Sequence, residues 1–283
     1  MRFAVIINTA SGSCNVGDET VLTQIIEENG GEVVSRWCGG ADGLKEAFST
    51  TEERKPECLV VLGGDGTIRS AVEACKNSVA QFILLPGGTM NMLTKAIYGD
   101  LPWKEILETT LKNPKEQTIS CGVIGDKTFY VAAILGTPSL LAHTREAARN
   151  GDIGAAVVHG AAVLATPFIS FEYESHTEEG NAETLLITTP LVSDALSNDA
   201  RALDVVAVAT PGAFETLRIL SAAALGIWRS DENVTTHATR SLKVSAPEPI
   251  PATLDGEPVD LPREVTVTFV PAAFTVLTPD ARK

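Results

Sequence analysis

LVVLGGDGT, residues 59–67, is an apolar run stopped abruptly by glycines. Leu59, Val60, Val61 and Leu62 read as a strand buried on both faces of a parallel sheet. The following IRSAVEACKN, residues 68–77, sets Ile68, Ala71, Val72 and Cys75 at helical spacing, so the unit is strand, glycine turn, helix. Backbone N–H groups at such a helix start face an anion. Gly63, Gly64 and Gly66 let phosphate oxygens approach the backbone with no Cβ in the way. Taken alone, the stretch also reads as an ordinary tight turn between strand and helix.

Its neighbours repeat the pattern. Upstream, FAVII (3–7) is a buried strand followed by the small polar loop NTASG (8–12). A helix capped by Asp18 is expected to Asn29, with Val21, Leu22, Ile25 and Ile26 on one face and Gly30 and Gly31 as its stop. A short strand over 32–36 and a helix near 43–49 lead into the quoted stretch. Downstream, FILLP (82–86) ends in GGTMN (87–91), then a helix runs through Leu93, Ala96 and Ile97. Another starts at Pro102 and runs through Trp103, Ile106, Leu107 and Leu111. Strands alternating with helices predict a parallel sheet, whose ligands bind beyond the carboxyl ends of its strands. Three such ends, Asn8–Gly12, Gly63–Thr67 and Gly87–Asn91, converge on one edge, which points to a phosphate or nucleotide site.

From about residue 118 the texture changes. TISCGVIG, KTFYVAAIL, FISFEY, ETLLITTP, LDVVAVAT, RSLKVSA and EVTVTFV are short β-type runs between turn signals, as in an antiparallel sandwich. Helices are expected near 139–149, 154–165 and 213–226. The fold class is therefore α/β plus β: an N-terminal parallel α/β domain, residues 1–118, and a C-terminal β-sandwich domain, residues 119–270. The last strand, within 271–283 and centred on Phe274–Leu277, is expected to return to the first domain.

Composition excludes other classes. With 283 residues and 44% hydrophobic content the chain can bury a large core. Its formal charge of −14 argues against a nucleic-acid partner and opposes adsorption to anionic membranes unless a basic patch is gathered locally. Five scattered cysteines without a CxxC suit a reduced, cytoplasmic compartment. MRFAVIINT enters a strand directly, so no signal peptide is expected. The stretch 154–169 is interrupted by His159, Gly160 and Pro167 and is too short for a transmembrane segment. His143, His159, His176 and His237 share no metal-ligand spacing.

In order, the motifs NxxSG (Asn8–Gly12), GGDGT (Gly63–Thr67), PxGTxN (Pro86–Asn91) and LDGE (Leu254–Glu257) make the chain resemble the diacylglycerol kinase catalytic-domain family of lipid kinases, related to sphingosine and ceramide kinases. The resemblance implies an ATP- and Mg²⁺-dependent transferase of phospholipid metabolism. Such an enzyme would phosphorylate a hydroxyl of diacylglycerol or a related lipid presented at a membrane surface, with residues 119–270 as its acceptor-binding domain. It implies a nucleotide site lined by Asn8, Ser11, Gly12, Gly63, Gly64, Asp65, Gly66, Thr67, Gly88, Thr89 and Asn91. Asp255 would be the base that takes the acceptor proton, and Glu257 would face the nucleotide or its Mg²⁺. Cytoplasmic location, peripheral contact with the inner membrane face and a homodimer are compatible with it. LDGE also reads as a plain Asp-Gly hairpin turn. Asp65 either joins the chemistry by holding metal or water, or caps the helix that follows it.

Several positions depart from the family pattern. Thr9 replaces the usual proline, Met92 follows the asparagine where aspartate is common, and Cys121 stands where an aspartate opens the second domain. Met92 and Cys121 offer no hard oxygen, so a structural Mg²⁺ known in some bacterial relatives is expected to be absent, while the Mg²⁺ that travels with ATP is kept. Arg69 and Lys95 either reach the phosphates or are solvated helix residues. Arg145 and Arg149 either edge the acceptor mouth or pair at the surface. Two other readings remain: a nucleotide-binding regulator without turnover, and a kinase of a soluble acceptor such as NAD.

Overall fold

In the computed structural model, which describes residues 1–136, 169–197, 200–209, 231 and 233–280, the chain divides into two compact units. The first is Met1–Ile119 with Ala272–Lys283, the second Ser120–Pro271. The helices expected near 139–149, 154–165 and 213–226, with His143, Arg145, Arg149 and His159, lie outside the described residues.

The first unit opens with β1 (Arg2–Asn8), α1 (Asp18–Glu28), β2 (Glu32–Gly39), α2 (Leu44–Arg54), β3 (Cys58–Gly63), α3 (Asp65–Cys75), β4 (Gln81–Pro86), α4 (Met92–Tyr98) and α5 (Trp103–Lys112). The strands pair in parallel in the order β2-β1-β3-β4. Continuous apolar runs suit strands covered on both faces, and Phe3–Ile7, Leu59–Leu62 and Phe82–Leu85 are all 2% exposed or less. Each such side chain contributes roughly 1.5–3 kcal/mol by leaving water. Register sets Ile7 beside Leu62 and Gly63 beside Pro86, so the ends of β1, β3 and β4 lie level on one edge. Asp18 is not the cap of α1 but its first residue. Gly17 is the N-cap, and Asp18 Oδ2 accepts the Asn15 N–H at 2.8 Å, which closes the preceding turn instead.

β5 (Pro114–Ile124) carries the chain into the second unit, which contains β6 (Lys127–Phe129), β7 (Ala132–Gly136), β8 (Phe171–Ser175), β9 (Glu179–Ala182), β10 (Thr184–Thr188), β11 (Leu203–Val208), β12 (Val234–Thr239), β13 (Ser241–Ser245), β14 (Ile250–Leu254) and β15 (Glu257–Leu261). β16 (Glu264–Pro279) leads back to the first unit. One antiparallel layer has the order β12-β11-β10-β7-β14-β15. The other sets β8 between β9 and β13, with the start of β16 beyond. Leu135, Leu185, Val205 and Leu254 from the first layer share one buried core with Phe171, Val244 and Val267 from the second. The parallel α/β half and the antiparallel β half read from the sequence are both present.

At its far end β16 lies parallel to β4, with Val276 opposite Phe82. Tyr98 fixes it there: its hydroxyl donates to the Leu277 carbonyl at 2.9 Å and accepts the Leu84 N–H at 3.3 Å. Among the described residues no helix is long and apolar enough to cross a membrane.

Candidate active site

The three loops at the carboxyl edge of the first unit are bonded to one another. Asn8, 6% exposed, accepts the Ala10 N–H on Oδ1 at 3.0 Å and donates from Nδ2 to Thr67 Oγ1 at 2.8 Å. Ser11 Oγ accepts the Gly64 N–H at 3.0 Å, which joins the first loop to the second again. The Gly87 N–H donates to the Gly63 carbonyl at 2.8 Å, joining the second loop to the third. Ser13 N–H donates to the Gly87 carbonyl at 3.1 Å and closes the triangle.

One glycine is required by the close approach. A Cβ on Gly88 would lie 2.6 Å from Gly64 Cα, so the second and third loops meet backbone to backbone. Asn91 takes the left-handed conformation, φ 53°, and its side chain turns back on the loop. It accepts the Gly88 N–H and donates to the Gly88 carbonyl, both at 2.8 Å. Its side chain is thereby used in the loop, and α4 is left without a side-chain cap at its own N-cap residue.

Asp65 fills that gap. Its Oδ1 accepts the Leu93 N–H at 3.4 Å, so it supports the start of α4 while placing a carboxylate in the first turn of α3, where it sits. At α3 itself the N-cap is Gly64, with no side-chain cap bond. The positive end of an eleven-residue helix thus opens onto the loops, equivalent to about half a unit charge. Gly66, Thr89 and Gly12 are exposed, and a Cβ on Gly12 would meet only Thr89 Oγ1, at 3.8 Å. A lip of glycines and one small hydroxyl residue around a helix start with no side-chain cap bond fits a polyphosphate.

The departures from the family pattern have structural consequences. The Thr9 N–H donates to the Gly39 carbonyl at 2.9 Å, a bond proline could not make, and ties the first loop to the end of β2. Lys95 pairs with Asp100 at 3.1 Å, both well exposed, as an ordinary surface ion pair. Arg69, one turn into α3, is half-buried rather than fully solvated. Met92 is the half-buried first residue of α4, and Cys121 is buried in β5. Cys14, one of the five scattered cysteines, is buried among the loops, and burial, with smaller pushes from Asp18 and Cys38, raises its thiol pKa to about 11.

Asp255 and Glu257 belong to the second unit, at the turn between β14 and β15. Asp255, φ 48°, and Gly256, φ 83°, make the tight two-residue turn that Asp-Gly favours. The carboxylate is 7% exposed and is held by three successive amides. Oδ2 accepts the Tyr130 N–H at 2.8 Å, and Oδ1 accepts those of Val131 at 2.8 Å and Ala132 at 3.0 Å. Thr189 braces this segment: its hydroxyl donates to the Tyr130 carbonyl at 2.7 Å and its N–H to that of Val131 at 3.0 Å. Nothing in the sequence singles out Tyr130–Ala132, because the contribution is made by backbone. Glu257 is exposed, at the first position of β15. Among the described residues, no group of three or more His, Cys, Asp or Glu is arranged to hold a metal ion.

Residues 2–123, which hold all three glycine-bearing loops, match the family model "Diacylglycerol kinase catalytic domain". That part of the chain is similar to this family. Solved structures share the fold at full length. A candidate diacylglycerol kinase from Bacillus anthracis str. Sterne superposes with a TM-score of 0.71 at 16% identity, over 99% of this chain and 98% of its own. A second structure, described as a diacylglycerol kinase from the same organism, gives 0.69 at 16% identity over the same shares. The β-rich half is therefore part of the common fold, beyond the stretch that the family model covers.

Proposed function

We propose that the chain is an ATP-dependent lipid kinase that transfers the γ-phosphate to a hydroxyl of diacylglycerol or a related lipid. The observation that carries this reading is the mutual bonding of the three loops around the uncapped start of α3. Gly12, Gly63, Gly64, Gly66, Thr67, Gly88 and Thr89 would hold the polyphosphate. Asn8, Ser11 and Asn91 keep the loops in place, as their bonds to Thr67, Gly64 and Gly88 do already. Mg²⁺, when bound with the nucleotide, neutralises the phosphate oxygens, and such an ion needs few protein ligands because phosphates and waters supply most of its oxygens. Glu257 is the carboxylate we assign to it.

Asp255 orients and deprotonates the acceptor hydroxyl in this reading. Phosphoryl transfer leaves the protein little covalent work, so positioning counts for more than the strength of the base. A carboxylate fixed by three amides has one direction, which suits that task. Lipid presentation would bring the protein to a membrane surface as a peripheral enzyme of the cytoplasm.

The test is phosphate transfer from labelled ATP to a panel of diacylglycerol, ceramide, sphingosine, NAD and glycerol. Transfer to a lipid supports the proposal, and transfer to NAD alone replaces it with a soluble-acceptor kinase. A second reading, a nucleotide-binding regulator without turnover, is favoured by the same three bonds, since a carboxylate so occupied can be purely structural. Tight ATP binding with no transfer to any acceptor would select it.

A further inference from the structure

Ser13 and Cys14 are absent from every motif discussed so far, yet they sit at the joint between the second and third loops. The Gly87 carbonyl accepts three donors from this dipeptide: Ser13 N–H at 3.1 Å, Ser13 Oγ at 3.1 Å and Cys14 Sγ at 3.6 Å. The same sulfur lies 3.9 Å from the Leu62 carbonyl, at the end of β3. A Cβ on Gly87 would fall 2.3 Å from that sulfur and 2.9 Å from Gly63 N, so sulfur and strand-end backbone enclose the residue on both sides. Cys14 is 8% exposed.

Within a trans peptide the carbonyl of one residue and the N–H of the next point in opposite directions. Gly87 and Gly88 are both glycine, so this peptide meets no Cβ on either side if it turns over. What fixes it is its partners: the Gly87 carbonyl on Ser13 and Cys14, and the Gly88 N–H on Asn91 Oδ1 at 2.8 Å. If it rotated, the carbonyl oxygen would leave its donors and the Asn91 clasp would open. Gly88 would also shift against Gly64, where no spare room exists.

We propose that Ser13 and Cys14 are positioning residues of the polyphosphate cradle, which clamp the Gly87 carbonyl and so set the orientation of the Gly87–Gly88 peptide and the spacing of the β3 and β4 loops. The inference rests on the nucleotide reading above. It assigns to the two residues an action through the Gly87 carbonyl.

The experiment measures Mg·ADP binding by calorimetry, and KM and kcat for ATP and for the lipid acceptor. It uses the wild-type chain, Ser13→Ala with Cys14→Ala, and Cys14→Ser, which keeps a donor on a smaller atom. The double variant is expected to raise the ADP Kd and the ATP KM about tenfold, with kcat within about twofold and the acceptor KM unchanged. Cys14→Ser is expected to recover most of that loss when Ser13 is intact. A double variant that melts at a lower temperature yet keeps wild-type ADP affinity and ATP KM makes the clamp merely structural and overturns the inference. Equal losses in the ATP and acceptor KM overturn it too. A wild-type chain that binds no nucleotide removes the kinase reading itself and the clamp with it, an outcome distinct from the other two.

Discussion

The two units hold their candidate functional groups in opposite ways. In the first, the cradle is almost entirely backbone, and the side chains around it, Asn8, Ser11 and Asn91, serve to hold main chain against main chain. In the second, backbone does the holding, and the group that is held is a single carboxylate, Asp255, on three amides. A site made of backbone fails when atoms are added to it. A site made of one side chain fails when that side chain loses an acceptor.

The largest expected effect tests the second half of this contrast. Asp255→Asn puts an NH₂ group where an oxygen now accepts an N–H, and it removes the base proposed above. Transfer should fall by about 10²–10⁴-fold, the range of general-base catalysis, while Mg·ADP affinity stays within about twofold because the cradle lies in the other unit. At least one amide of Tyr130–Ala132 also loses its acceptor, at about 1–3 kcal/mol. Urea unfolding beside the transfer assay separates the two losses. Full transfer by this variant would leave Asp255 as a structural staple.

Next is the reverse manipulation in the first unit. Gly88→Ala adds one methyl group 2.6 Å from Gly64 Cα and 3.1 Å from Asn91 Oδ1. Overpacking of this kind costs about 1–3 kcal/mol, so the ADP Kd should rise about tenfold to a hundredfold. Unchanged binding would mean that the third loop is not part of the receptor. A smaller effect is expected from Thr67→Val, which keeps the shape but leaves Asn8 Nδ2 without its acceptor in a buried setting. Stability should fall by about 1–2 kcal/mol, and restoring the pair's balance with Asn8→Leu should recover part of it.

How much of this could be read beforehand follows the same division. The strands β1, β3 and β4 announce themselves because each is a continuous apolar run, and their loops because glycine marks close backbone approach. The strands that escaped notice are those whose residues do not alternate. EGNA makes the short β9 and VTTHAT makes β12, an edge strand with little to bury, while IPATL and EPVDL, implied only by the hairpin reading of the Asp-Gly turn, make β14 and β15 in spite of a proline in each. Pro258 is tolerated because β15 is an edge, and Pro251 lies outside the three-residue register that β14 shares with β7. Phe274–Leu277 looked like a strand of its own because PAA precedes it. It is the end of β16, whose partner changes from β13 to β4 on either side of Pro271. The Asp65 bond to Leu93 and the Asp255 bonds to Tyr130–Ala132 were invisible for one reason: a backbone N–H is carried by every residue but proline, so composition cannot say which will be used.

His237 supplies the smallest effect and the sharpest contrast with Asp255 inside the second unit. Its ring lies on Tyr173, centroids 6.0 Å apart and planes 14° from parallel, and neither ring nitrogen has a hydrogen-bond partner among the described residues. Burial pushes its pKa below the ordinary 6.5, against weaker upward pulls from Glu178 and Asp204. The unfolded chain therefore binds this proton more readily than the folded one. Stability should fall as pH drops through about 6.5 and level off below the folded value. One group changes stability by at most about 1.4 kcal/mol per pH unit, and the half-buried ring is screened by water, so the slope should lie well under that ceiling. The measurement is the difference in urea midpoint between the wild type and His237→Phe from pH 8 to pH 5, which cancels the carboxylates common to both. The wild type should lose ground below pH 6.5. Parallel curves would mean that the imidazole finds a proton partner in solution.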